Sequence, residues 1–179
     1  MDLHQIQLTY HVEQDRLLFR VSFRDDKAQL QEIRAWLTRR FLRLLWPGIL
    51  QSMERQVVVS QPDAAHARSE IVGMGHESSV SQLRESGGFD KPFEAEATGF
   101  PLGDAPILVT TAHFTVKAGE PLRVEFVSAD RGAFEVAFTE HMLHGFCNLI
   151  REALKQSEWD LVLSMPGAAP TPPASRLLN

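Results

Sequence analysis

The feature that most constrains the fold is a change of hydrophobic period that occurs twice along the chain. Two blocks, residues 1–60 and 104–166, each begin with three short runs in which apolar and polar residues alternate. Such alternation is typical of a β-strand with one buried face. Each block then changes to apolar residues spaced as on one side of an α-helix. Both blocks are therefore expected to fold as strand, strand, strand and helix.

A threonine stands where the period changes in each block. The hydroxyl groups of Thr38 and Thr139 can accept hydrogen bonds from the first free backbone N–H groups of a helix. When Thr38 is aligned with Thr139, the helical segments match without a gap, and we interpret the two blocks as an internal βββα repeat. Apolar positions coincide in the pairs Phe41 and Met142, Leu42 and Leu143, Leu45 and Phe146, Trp46 and Cys147, Ile49 and Ile150, and Met53 and Leu154.

The expected fold class is α+β, with two tandem βββα repeats whose antiparallel sheets carry helices on one face. Two such units combine because three strands and one helix bury too little apolar surface alone. Between the repeats, residues 61–103 form an acidic connector with a marginal helix, weakened by Gly73 and Gly75. Residues 167–179 are rich in proline, and we expect a disordered tail there.

Composition excludes several classes of protein. Hydrophobic residues make up 44% and charged residues 23%, as in ordinary globular proteins. The single cysteine, Cys147, rules out an internal disulfide and fits a reducing compartment. No apolar run reaches the roughly 20 residues that span a bilayer, and residues 1–10 lack the pattern of a secretory signal. We therefore expect a cytoplasmic protein that does not contact a membrane.

Four segments support a resemblance to a known family. They are QIQLTY at 5–10, EQDRLLFR at 13–20, WLTRRFLRLLWP at 36–47 and FPLGDAPILVT at 100–110. Together they resemble a family of small uncharacterised proteobacterial proteins, over most of the chain. The family has no assigned activity, so the resemblance implies a bacterial cytoplasmic protein and nothing more specific.

Histidine and cysteine offer the best place to look for catalysis or metal binding. His141, His144 and Cys147 are spaced three apart on the second helix, where neighbours could share a metal ion. Cys147, however, falls in the apolar stripe and the histidines fall outside it. We therefore expect solvated histidines beside a core thiol, and no metal site.

No nucleophile motif or glycine-rich phosphate loop is present in the sequence. We accordingly name no catalytic residue, no cofactor and no small-molecule ligand. We expect a non-enzymatic protein, although an active site without a local sequence signature stays open.

Cationic and aromatic residues of the first block are the candidates for binding a partner. This block holds nine Lys and Arg against seven Asp and Glu, whereas the whole chain has a net charge of −5. We predict that the chain binds a macromolecular partner, and another protein is the preferred candidate. The alternative is a single-stranded DNA or RNA, bound on the arginine- and tryptophan-bearing sheet face. The predicted contacts are Arg39, Arg40 and Arg43 on the helix and Arg20, Arg34 and Trp36 on the sheet.

Self-association is a further expectation. In the second block, one sheet face would carry Ile107, Val109, Val127 and Ala137, which is too apolar a set for exposure to water. We predict a homodimer with Val109 and Val127 at its interface. The alternative is that the two sheets pack together and leave no apolar face exposed.

Overall fold

The computed structural model describes residues 2–94 and 97–167. The described residues form an α+β fold with one six-stranded sheet and three α-helices. The elements are β1 (Asp2–His11), β2 (Arg16–Arg24), β3 (Leu30–Leu37), α1 (Arg39–Ser60), a 3-10 helix (Pro62–Ala67), α2 (Arg68–Glu85), β4 (Ile107–Thr115), β5 (Leu122–Ser128), β6 (Gly132–Phe138) and α3 (Glu140–Leu154). The predicted disordered tail lies, from residue 168 onward, outside the described residues.

The sheet consists of two antiparallel three-stranded meanders joined side by side. Its strand order follows the chain from β1 to β6. The joint is a short parallel pairing of β3 with β4, in which Ala35 pairs with Ile107 and Trp36 with Leu108. The predicted α+β class is confirmed, and the order of elements is compatible with two βββα blocks.

The sheet curls so that the two meanders share one core. Phe19 in β2 and Phe126 in β5 have ring centroids 5.4 Å apart. On a flat sheet, strands three positions apart would be separated by about 14 Å, so the inner faces must turn toward each other. The ring of Phe146 in α3 also lies against Phe19, with a centroid distance of 5.2 Å. These aromatic side chains are buried at the centre of the molecule.

Both predicted helix caps are present. The Thr38 hydroxyl accepts a hydrogen bond from the Phe41 backbone N–H at 3.1 Å, and Thr139 caps α3 in the same way through the Met142 N–H at 3.4 Å. The apolar stripe expected on each helix turns into the core. Helix α1 packs against β4 and α3 packs against β1, so each helix covers the opposite meander. None of the helices in the described part of the chain is long and apolar enough to cross a membrane.

The predicted exposure of Val109 is wrong. Val109 is only 1% exposed and packs in the core, together with Ile107. The reason is a β-bulge between Val109 and Thr111, which shifts the alternation so that different residues point inward before and after it. The outward side of the second meander is consequently polar. Its exposed residues include Thr111, His113, Arg123, Glu125 and Glu135.

Helix α2 is better packed than the sequence suggests. It spans 18 residues and buries Val72 and Val80. The two glycines that weaken its sequence pattern lie where neighbouring groups come close: Gly73 beside Pro166, and Gly75 beside His144 and Glu140. A side chain at Gly73 would collide with the Pro166 carbonyl, and one at Gly75 would be tight against Glu140 and His144, so glycine permits the close packing.

Candidate functional site

Glu32 organises the sheet face that was predicted to bind a partner. Its side chain is 0% exposed, and its Oε1 accepts hydrogen bonds from Arg20 Nε and Arg34 Nε, both at 2.7 Å. Its Oε2 accepts from Arg20 Nη2 at 3.0 Å. Arg20 and Arg34 are direct neighbours in the register of β2 and β3, on the same side as Glu32. One buried carboxylate is therefore held between two guanidinium groups.

Charge and burial act in opposite directions on this carboxylate. Burial of Glu32 disfavours its ionised form, but the hydrogen bonds from Arg20 and Arg34 outweigh that effect. Together the two arginines hold the pKa of Glu32 below its ordinary value. Glu32 is consequently ionised at neutral pH, and the cluster carries a net charge of about +1 from its three charged groups.

The connector after α2 covers this half of the sheet face. The Arg20 guanidinium lies 4.0 Å from the centre of the Phe93 ring, and that of Arg34 lies 4.7 Å from the centre of the Phe100 ring. The Glu32 N–H donates to the Gly99 carbonyl at 2.9 Å, which adds the connector to the edge of β3. Both guanidinium groups are thus used in contacts within the chain, although their predicted role in partner binding stays a prediction.

A second part of the same sheet face is not covered by these connector contacts. Thr9, Leu18, Trp36 and Leu108 form a row in register across β1, β2, β3 and β4. The His11 ring meets the edge of the Trp36 ring at a centroid distance of 5.2 Å. Trp36 is half-buried, and Leu108 is exposed. We name these five residues the Trp36 face; it is apolar at its centre and polar at the β1 end.

The solvent side of α1 forms another surface, which we name the α1 outer face. Its residues recur at helical spacing opposite the buried stripe, and all are exposed. Leu44 at its centre is 64% exposed. No ion pair joins its arginines to any residue in the described ranges. The α1 outer face consists of Arg40, Arg43, Leu44, Pro47, Gln51 and Arg55.

Arg39 differs from the other arginines at the start of α1. It is exposed, but its Nη2 donates to the backbone carbonyl of Asp160 at 3.3 Å. The indole N–H of Trp46 donates to the Ser164 carbonyl at 3.0 Å, farther along the same segment. The chain after α3 therefore runs along one side of α1, and Arg39 helps to hold it there.

The expectation that His144 is solvated is wrong. His144 is 3% exposed, and its ring lies 5.4 Å from that of His76, which is buried on α2. The reason is that α2 packs against the side of α3 that carries His144. Burial lowers the pKa of each imidazole to about 4, and the charges of Arg151 and of the neighbouring histidines add to this effect. Both side chains are therefore neutral at pH 7.

The remaining members of the predicted histidine–cysteine cluster do not converge on a common point. His141 is half-buried, and Cys147 is buried in the core as expected. Burial raises the pKa of the Cys147 thiol to about 12, which keeps it protonated and unreactive. Within residues 2–94 and 97–167, no group of three or more His, Cys, Asp and Glu side chains is arranged to hold a metal ion.

Comparison with models of protein families, with curated proteins and with solved structures finds no match for this chain. The resemblance to small proteobacterial proteins, and with it the cytoplasmic location, stays a prediction. What the protein binds is therefore inferred from its own surfaces.

Proposed function

We propose that this is a non-enzymatic binding protein whose α1 outer face docks an acidic segment of a partner protein. Charge is the observation that carries the proposal. In a chain of net charge −5, this face presents Arg40, Arg43 and Arg55, and the one carboxylate on the same side of α1, Glu54, is partly buried and paired with Arg68 at 3.3 Å. The arginines surround Leu44 and Pro47, which are exposed. Arginine is enriched among the residues that dominate protein interfaces, and a partner would desolvate the exposed apolar side chains between these arginines.

Two observations favour a protein over single-stranded nucleic acid. Nucleic-acid binding to an open sheet needs free cations beside aromatic rings. On the first meander, Arg20 and Arg34 bind Glu32, and the rings above them belong to the connector. On α1, the centre of the cationic face is the apolar side chain of Leu44, for which a phosphate backbone offers no counterpart.

The Trp36 face is the second surface of the proposal. Trp36 adjoins α1 in the chain, two residues before Thr38 caps that helix. Tryptophan with a half-buried ring supplies a large contact area at a small entropic cost, which suits it to anchor a partner. The Trp36 ring points away from the side of the sheet on which α1 packs, so the Trp36 face would be a contact separate from Arg40 and Arg43.

We also propose that the chain is an internal βββα duplication, and that its two helices have diverged in use. Supporting features are the two threonine caps, the reciprocal packing of each helix on the other meander, and a bulge near the start of β1 and of β4. In the aligned helices, Arg40 and Arg43 correspond to His141 and His144. Helix α2 packs against both helices and covers His144 on α3, whereas Arg40 and Arg43 on α1 are exposed.

Charge reversal tests the proposed function. The double variant Arg40→Glu with Arg43→Glu is expected to lose at least about tenfold in recovery of its partner, since each desolvated charge contact contributes about 1.4 kcal/mol or more. The measurement is affinity capture with quantitative mass spectrometry, from cells that express the chain. A labelled single-stranded oligonucleotide, titrated at low and at high salt, measures the alternative in parallel.

A matched control keeps the same change in net charge. Lys27→Glu with Arg131→Glu alters two exposed residues in the β2–β3 and β5–β6 turns, away from α1. It should capture the same proteins as the wild type. Equal capture by all three proteins would contradict the proposal. If instead an oligonucleotide binds tightly and in a salt-sensitive way, and only the α1 variant loses this binding, the nucleic-acid function replaces the proposal.

The homodimer is a separate proposal. Val127 is half-buried on the outward side of β5, so part of its side chain is available to a second copy. Light scattering is expected to give twice the 20.1 kDa mass of one chain, and Val127→Asp should reduce this to one chain, because a buried carboxylate at an interface is costly. A wild-type protein that has the mass of one chain at high concentration would contradict this expectation.

A further inference from the structure

Helix α2 is held less firmly than the other two helices. It packs on α1, on α3 and on the 3-10 helix, whereas α1 and α3 also pack on strands of the sheet. Its buried side chains are Val72, His76, Ser79 and Val80, only two of which are apolar, and no described side chain caps its N-terminus. Local opening of α2 is therefore expected to require less free energy than unfolding of the sheet with α1 and α3.

Two imidazoles without hydrogen-bond partners at Nδ1 lie at the contact between α2 and α3. His76 on α2 is 6% exposed, His144 on α3 is 3% exposed, and their ring centroids are 5.4 Å apart. The Nδ1 atom of each ring is buried and has no hydrogen-bond partner among the described residues. Buried polar atoms are usually paired, so these two groups weaken the packing of α2 even when they are neutral.

Arg151 of α3 makes a positive charge on His76 incompatible with this packing. Its Nη1 lies 3.5 Å from His76 Nε2. A guanidinium group can only donate, so Nε2 is the acceptor and the proton of the neutral ring is on Nδ1. A second proton would be added at Nε2, where it would remove the hydrogen bond and bring two cations into contact.

The nearest groups on α3 do not offset a positive charge on either imidazole. No described carboxylate forms an ion pair with His76 or His144. Glu140 Oε1 and His144 Nε2 each lie 3.2 Å from the position that a Cβ on Gly75 would occupy, but Glu140 is exposed, so water and salt screen its charge. His141 is a further basic group near His144.

The other elements packed on α2 and α3 also supply no counter-ion. Glu77 of α2 and the charged residues of the 3-10 helix, Asp63 and His66, are exposed. Glu54 of α1 pairs with Arg68. On the strands that flank α3, the described contacts join His4 to Glu94, His11 to Trp36, and Glu135 to Arg123. A proton on His76 or His144 therefore adds an uncompensated charge to a buried interface.

We propose that α2 is an acid-released helix: protonation of His76 and His144 detaches it from α3, while the sheet, α1 and α3 stay folded. Release uncovers His144 and also Gly145, against which Leu83 of α2 is packed. The residues of the α1 outer face stay in place. The inference is therefore independent of the proposed protein-binding function, and either can fail without the other.

The direction of the pH dependence follows from burial. Burial lowers the pKa of both imidazoles to about 4 while α2 is docked, below the ordinary 6.5 that a solvated histidine has once α2 is detached. Between these values the detached state binds protons that the docked state does not. Docking is therefore strongest above pH 6.5 and weakens as the pH falls toward 4.

NMR of the ¹³C,¹⁵N-labelled protein between pH 7.5 and pH 4 tests the proposal. The Cα shifts of Val72, Ser79 and Val80 should change together from helical to unstructured values as the pH falls. Those of Phe19 and Phe126, which lie in the core of the sheet, should keep their folded values over the same range.

Two variants test the assignment to the buried histidines. His76→Gln with His144→Gln removes both titrating groups and should keep α2 helical at pH 4. Arg151→Gln keeps both histidines but removes the cation opposite His76, and should release α2 at a lower pH than in the wild type. The second variant tests the proposal even where the double variant does not fold.

His66→Gln with His113→Gln is the matched control, because both histidines are exposed. It should release α2 at the same pH as the wild type. The proposal is overturned if α2 of the wild type stays helical at pH 4, or if the sheet signals are lost together with those of α2. It is also overturned if the double variant or Arg151→Gln releases α2 at the wild-type pH or above it.

Discussion

Replacement of Glu32 by glutamine is expected to lower the free energy of unfolding by about 3–5 kcal/mol, the usual cost of removing one partner from a buried ion pair. Glutamine keeps the shape of the side chain but removes the charge that Arg20 and Arg34 share. Two half-buried guanidinium groups then lose their counter-ion. Urea unfolding at pH 7, compared with the wild type, measures the difference.

The same substitution at an exposed ion pair provides the control. Glu135 pairs with Arg123 at 2.9 Å, but both side chains are nearly half exposed. Glu135→Gln should therefore cost less than about 1 kcal/mol. If Glu32→Gln lowered the free energy of unfolding no more than Glu135→Gln does, the buried cluster would not stabilise the fold as we describe.

Hydrogen exchange offers a second readout of the Glu32 variant. The connector is held by rings over Arg20 and Arg34 and by the Thr98 and Gly99 bonds to the edge of β3. Glu32→Gln should increase exchange at the amides of Thr98 and Glu32, because the arginines that carry the rings are released. Faster exchange in β2 and β3 with unchanged exchange at the amides of Thr98 and residue 32 would mean that the connector is held independently.

Acidification from pH 7 to pH 5 is expected to lower the free energy of unfolding by about 2 kcal/mol for each of His76 and His144. Their pKa in the folded protein is about 4, below the ordinary 6.5. Between these values the unfolded chain binds protons that the folded chain does not. The contribution of these two histidines to the free energy of unfolding is therefore complete above pH 6.5, and it is lost as the pH falls toward 4. Urea unfolding at both pH values measures the loss.

Two variants test whether the buried pair of His76 and His144 causes this pH dependence. His144→Gln removes one titrating imidazole and should reduce the loss between pH 7 and pH 5 by about half. His113→Gln alters an exposed histidine on β4 and should leave the loss unchanged. An equal loss in the wild type and in both variants would assign the acid sensitivity to other groups.

The helices could be predicted from sequence because their signals are local. Thr38 and Thr139 are adjacent in the chain to the N–H groups they cap, and each apolar stripe repeats within a few turns. The α+β class follows from the same patterns. The pairing of β3 with β4 could not be predicted, because it joins residues some 70 positions apart through only two residue pairs.

Two errors concern burial produced by distant segments, and a third concerns a local bulge. Alternation places Glu32 and Arg34 on neighbouring sheet positions, but it carries no information that the connector crosses above them. His144 falls outside the apolar stripe of α3 and is buried only because α2 packs there. A bulge moved Val109 into the core by changing the phase of its strand. The exposure of Arg40 and Arg43, by contrast, can be predicted from sequence, because both lie opposite the apolar stripe of their own helix.

The most direct test of partner binding is to identify the molecule that touches Leu44 in cells that express this chain. A photoreactive benzoylphenylalanine at this position lies at the centre of the α1 outer face, and Met74 on α2, 63% exposed, is a control of equal exposure. We predict a discrete covalent adduct from position 44 and none from position 74, sensitive to protease and resistant to nuclease. Absence of an adduct at position 44, equal adducts at both positions, or an adduct removed by nuclease would contradict a protein-binding α1 outer face.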